Sequence, residues 1–134
     1  MGFVTGGLLF GAATGAVAGD LCFRDDLGFP PLVAKSFSLP PAGRCSAFTG
    51  FLQDGMFLAS GMACGSGAVD DVNFEVTIES PIEGEVVSYS FFVNRQTLRG
   101  EGTILCTPVE CGVVFGIPLG SLTFSIRTVA CRPS

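Results

Sequence analysis

Residues Val72 to Glu79 alternate without a fault: Val72, Phe74, Val76 and Ile78 leave one side of the chain, and Asn73, Glu75, Thr77 and Glu79 leave the other. Successive side chains of an extended segment point to opposite faces, whereas a helix repeats every 3.6 residues. The run therefore predicts a strand with one face in a core and one in water. A strand needs partners for its backbone N–H and C=O groups, and the flanking sequence supplies them.

Ser46 to Leu52 is an apolar run, Asp54-Gly55 forms a hairpin turn because type I′ turns need two residues with positive φ, and Met56 to Cys64 returns. Gly65-Ser66-Gly67 turns into the alternating strand, and Pro81 to Gly84 turns out of it. Glu85 to Arg95 follows with Val87, Tyr89, Phe91 and Val93 inward, which puts Phe92 on the opposite face from Phe91. Thr97 to Cys106 places Leu98, Gly100, Gly102 and Ile104 on one face, its glycines marking a bend or a close approach. Val113 to Ile117, the turn Pro118-Leu119-Gly120, and Ser121 to Ala130 make a last hairpin, with Leu122, Phe124 and Ile126 inward. Ahead of these, residues 20 to 45 read as irregular. Pro30-Pro31 and Pro40-Pro41 bracket Leu32 to Leu39, within which Lys35 to Leu39 alternates like an edge strand. Short strands at even spacing predict an all-β fold, an antiparallel β-sandwich or small β-barrel of about eight strands joined by short hairpins.

Residues 1–19 carry no charged side chain and form an apolar, Gly-rich N-terminal segment. Three readings compete for it. Leu8 to Ala18, ending in the small-x-small triplet Ala16-Val17-Ala18, has the form of a signal peptide without its basic start. Gly7, Gly11, Gly15 and Gly19 would line one stripe of a packing helix. The segment also suits a strand donated to a neighbour. The domain expectation is thus this segment at 1–19 and one disulfide-braced β domain at 20–134.

Six cysteines stand at Cys22, Cys45, Cys64, Cys106, Cys111 and Cys131. No CxxC pair and no histidine accompany them, so disulfides explain them better than a zinc site. With Asp54-Gly55 central in a two-residue turn, Cys45 faces Cys64. Counting outward puts the pair at a hydrogen-bonded position, which a bulge near Ser60-Gly61 would relieve. The other four allow Cys106–Cys111 with Cys22–Cys131, or Cys106 with Cys131 across the last hairpin.

Without histidine there is no Ser-His-Asp or Cys-His arrangement. The paired acids Asp25-Asp26, Asp70-Asp71 and Glu83/Glu85 have the residue types of a two-carboxylate hydrolase, and Asp70-Asp71 beside a glycine-rich turn has those of a calcium site. Adjacent acids on turns are more often solvated. Net charge is −5, with one lysine and six arginines that form no basic cluster along the chain, which excludes nucleic acid as a partner and disfavours an anionic membrane. Charged residues are only 14%, against about 25% in average domains, so the surface must be Ser, Thr and Gly or partly covered. Thirteen phenylalanines against one tyrosine and no tryptophan argue for a core and against a sugar-binding face.

The expectation is a non-catalytic structural or self-associating β-domain, secreted or at the cell surface, with no cofactor and no metal. Its partners are further copies or another protein, and membrane contact runs only through residues 1–19 if they are retained. The alternative is a small β-barrel binding module for an apolar ligand or protein partner.

Overall fold

A computed structural model describes residues 19–53, 57–80, 83–112, 117 and 120–131. Eight strands follow one another: β1 (Leu21–Asp25), β2 (Leu32–Ala34), β3 (Cys45–Leu52), β4 (Leu58–Gly65), β5 (Asp71–Glu79), β6 (Val86–Asn94), β7 (Arg99–Thr107) and β8 (Ser121–Val129). Each pairs antiparallel with the next, and β8 returns to β1 through Cys22↔Val129 to Asp25↔Ile126, closing a barrel. Closure removes the free edges that an open sheet exposes. All connections fall at two ends. Residues 35–44, 66–70 and 95–98 cross one end, here the floor; residues 26–31 and the described parts of the connections after β3, β5 and β7 lie at the other, the mouth.

The alternation in β5 and β6 is the wall of the core. Val72, Phe74, Val76 and Ile78, and across from them Val93, Phe91, Tyr89 and Val87, are all buried. Phe74 stacks on Phe91 with ring centroids 4.7 Å apart, and Phe23 and Phe48 meet Phe74 edge-on at 5.1 and 6.0 Å. Phe37, from the floor connection, packs on Phe48 and Phe74. Burying each such ring is worth about 1.5–3 kcal/mol. Gly102 of β7 lies directly against Phe91 and Ser90 of β6. A Cβ on Gly102 would overlap Phe91 Cβ and the Ser90 carbonyl, so only glycine fits beside that ring.

Three disulfides brace the barrel. Cys22–Cys131 ties the start of β1 to the segment after β8, with Cα atoms 5.2 Å apart. Cys106–Cys111 closes the turn after β7 at 5.9 Å. Cys45–Cys64 joins β3 to β4 on the outer face, at the register expected from the turn, with Cα atoms 4.0 Å apart.

Three expectations are corrected. The β3–β4 register holds without a bulge: Thr49↔Ser60 and Phe48↔Gly61 continue it unbroken. The expected strain is absent because the hydrogen-bond phase is the opposite one. Leu52 N–H donates to Phe57 O at 3.0 Å, making 52–57 a hydrogen-bonded pair. Alternation from there places Cys45–Cys64 at a non-hydrogen-bonded position, where Cα atoms approach most closely. The strand near the double prolines is Leu32–Ala34 rather than Lys35–Leu39, because Ser36 turns the chain with φ 46°. Leu98 is not inward. It sits in the turn before β7 with φ 60°, 39% exposed, its N–H on Asn94 O at 2.8 Å. β8 pairs with β7 along Ser121–Arg127 and with β1 along Ile126–Val129.

The readings of residues 1–18, of the Asp54-Gly55 turn, of Pro81, of 113–116 and of Pro118-Leu119 lie outside the described residues. Among the described residues no helix is long and apolar enough to cross a membrane.

Candidate functional site

The mouth is built by one carboxylate. Asp25 ends β1 on the same side of the strand as the buried Phe23. Its Oδ1 accepts the backbone N–H groups of Leu27, Gly28 and Phe29 at 2.8, 3.1 and 3.3 Å. Such a side-chain turn competes with strand continuation, so the chain leaves the sheet here. Gly28 completes the reversal at φ 92°, where a side chain is disfavoured. The result folds Phe29-Pro30 back over the barrel end.

Under that flap lies an apolar pocket of about 90 Å³ lined by Phe29, Pro30, Leu52, Phe57, Ile78, Val87, Tyr89 and Ile104. The Tyr89 phenol oxygen is the one polar atom those side chains carry. Burial pushes this phenol well above its ordinary value, and the Asp25 charge adds to the rise, so Tyr89 stays protonated at any physiological pH. Burial likewise raises the Asp25 carboxyl above its ordinary range, against the three N–H bonds, which pull the other way; neighbouring Asp26 adds a smaller rise. A neutral phenol in an apolar slot offers a hydrogen bond and no base. The volume equals about three water molecules and is smaller than the roughly 150 Å³ cavity that holds benzene. It takes the tip of an alkyl group, not a whole lipid.

The carboxylate pairs named from the sequence do not converge. Asp25 serves the flap while Asp26 Oδ1 accepts Ser125 N–H at 3.0 Å. Asp70 Oδ2 accepts Gln96 Nε2 at 2.9 Å and Asp71 Oδ1 accepts Asn94 Nδ2 at 3.1 Å, so both tie one floor turn to the next. Glu83 is exposed, and Glu85 accepts Ser80 Oγ at 3.4 Å. Among the described residues no three His, Cys, Asp or Glu side chains gather as metal ligands would. The six cysteines are all held in disulfides, which leaves no thiol nucleophile.

Sequence reasoning missed the pocket. Asp25-x-x-Gly28 is a readable turn signal, but the adjacent Asp26 makes Asp25 read as half of an acid pair. Phe29, Phe57 and Tyr89 come from three separate elements, and only closure of the barrel brings them together. Comparison of the chain with protein families, with curated proteins and with solved structures returns no match.

Proposed function

We propose that this protein is a non-catalytic, extracellular binding module whose barrel mouth captures a small apolar group, the end of an alkyl chain or an aliphatic side chain of a partner. The observation that carries the reading is the pocket under the Asp25-anchored flap, apolar apart from one phenol hydroxyl. Secretion or surface display is supported by the three intrachain disulfides, which persist in oxidising compartments. The absence of catalysis is supported by the raised, unreactive phenol and the scattered acids. Self-association draws its support from residues 1–19. Along the described outer face, Glu79 stands between exposed Leu58 and Val86, which interrupts a continuous apolar patch.

With one tyrosine and no tryptophan in the chain, intrinsic emission reports on Tyr89 alone. Titration with straight and branched alcohols of increasing length should change that emission saturably, and should move the methyl resonances of Ile78, Val87 and Ile104. Val87→Ile and Ile104→Phe, which fill the slot, should abolish the response. Unmoved methyls across the series would remove the proposal. Light scattering on the same samples measures self-association separately.

A further inference from the structure

Three arginines that are far apart in the sequence form one row on the barrel. The β1–β8 register sets Arg24 opposite Arg127, and the β7–β8 register sets Arg127 opposite Arg99. Each alternates with inward neighbours (Phe23, Ile126 and Gly100), so all three leave the outer face. Adjacent strands are about 4.8 Å apart, and the row spans roughly 10 Å. Half of the six arginines in a chain of net charge −5 are thereby concentrated at one place.

Such a row is costly unless something meets it, because like charges directly opposite across a sheet repel. The protein does not meet it internally. Among the described residues the ion pair within 4.0 Å is Lys35–Asp20, which involves none of the three. The row instead forms a wall of a groove of about 560 Å³, whose other lining includes half-buried Phe92, Ser125 and the carboxyl residues Asp25, Asp26 and Glu101. Asp26 Oδ1 already accepts the Ser125 N–H.

We propose that Arg24, Arg127 and Arg99 bind a tetrahedral oxyanion, the phosphate or sulfate ester group of a ligand. A guanidinium is permanently charged and presents a planar fork of donors that matches oxyanions two bonds at a time. Three forks side by side offer about six donors. A carboxylate has about four lone-pair sites in one plane and leaves some unfilled, whereas a tetrahedral group presents oxygens in three dimensions. Phe92 gives the organic part of the ester an apolar surface at the far side of the groove. Glu101, two residues beyond Arg99 on the same face, opposes the anion and keeps binding modest. The site shares no lining side chain with the mouth pocket and stands or falls apart from it.

The test is an NMR titration of the whole 134-residue chain, reading arginine Nε–Hε peaks, with inorganic phosphate, inorganic sulfate and acetate at constant ionic strength set by sodium chloride. Phosphate or sulfate should move the peaks of Arg24, Arg99 and Arg127 saturably and leave Arg44 and Arg95 in place. Phenyl phosphate and phenyl sulfate then show which ester is preferred. Arg127→Gln should weaken binding by about tenfold, the loss of a charged hydrogen-bonding partner. Glu101→Gln should tighten it by about twofold to threefold, as removal of an exposed like charge does. Equal, unsaturated shifts with chloride, acetate, phosphate and sulfate overturn the proposal, as does an Arg127→Gln protein that binds as tightly as its parent. The unliganded melting temperature of Arg127→Gln should not fall, which shows that the arginine is not needed for folding.

Discussion

The floor and the mouth of the barrel enclose the same kind of side chain in different ways. Toward the floor, Phe23, Phe37, Phe48, Phe74 and Phe91 touch ring to ring, and Phe37 plugs the barrel from the 35–44 connection. Two disulfides, Cys22–Cys131 and Cys45–Cys64, lie at that end. Toward the mouth the lining shifts to Ile78, Val87, Ile104 and Leu52, the rings of Phe29 and Phe57 come from connections, and a space remains. Aromatic rings fill a small barrel completely when they stack and tilt against one another. Aliphatic tips under a turn do not, so unfilled space remains at the mouth.

The sharpest way to break this contrast is through the disulfides. Replacing Cys22 and Cys131 by Ser frees a loop of separation 109, and chain entropy puts the loss near 4–5 kcal/mol. The same change at Cys106 and Cys111, at the mouth with separation 5, should cost only about 2 kcal/mol. Urea unfolding followed by Tyr89 emission measures both; equal losses would show that the ends are braced alike. Next in size, Phe74→Ala should cost about 3–5 kcal/mol as a core ring deletion, and Phe57→Ala, at a half-buried position, less than half of that.

A smaller effect belongs to Asp25. Asp25→Ala removes the acceptor for three N–H groups and should cost about 1 kcal/mol, with loosening of the Phe29-Pro30 flap visible in amide exchange at Leu27 to Phe29. Asp25→Asn keeps an acceptor oxygen and should retain the flap. The pH dependence follows from the raised folded-state pKa. In the window just above the ordinary value of 3.8, the folded protein holds a proton that the unfolded chain has released. The Asp25 contribution to stability therefore rises as pH falls through the folded pKa and levels off below 3.8. Asp25→Asn should flatten that rise in a comparison of unfolding curves across the window. The smallest expected change is a gain: Arg127→Gln relieves two cross-strand repulsions and should stabilise the unliganded protein by about 0.2–1 kcal/mol.

Strand alternation carried the interior of the fold. The inward residues of β5 and β6 follow directly from their period of two, and the Cys45–Cys64 register follows from the position of one turn. The phase of that hairpin did not follow, because turn length is ambiguous by a pair of residues that share the same sum. Leu98 reads as part of an alternating face, yet the chain reverses there with positive φ, a backbone event that apolar patterning does not encode. The site residues were hidden for a different reason. Arg24, Arg99 and Arg127 are separate along the chain and amount to no basic cluster, and their alignment depends on β1 pairing with β8, which is a long-range closure that local pattern cannot announce. Tyr89 was placed inward, but what it faces depends on how Asp25 turns the loop above it.

The β1–β8 seam has one more consequence. Leu21 and Val129 leave the sheet at the floor, and Cys22 is bonded to Cys131 with Cα atoms 5.2 Å apart, so the chain enters and leaves the barrel close together on the side away from the pocket. A segment attached at Gly19 or Cys131 starts from the floor and not from the pocket end. The same adjacency means that a linker from Cys131 to Gly19, with a new start cut between β5 and β6, should give a circular permutant that keeps every strand pairing.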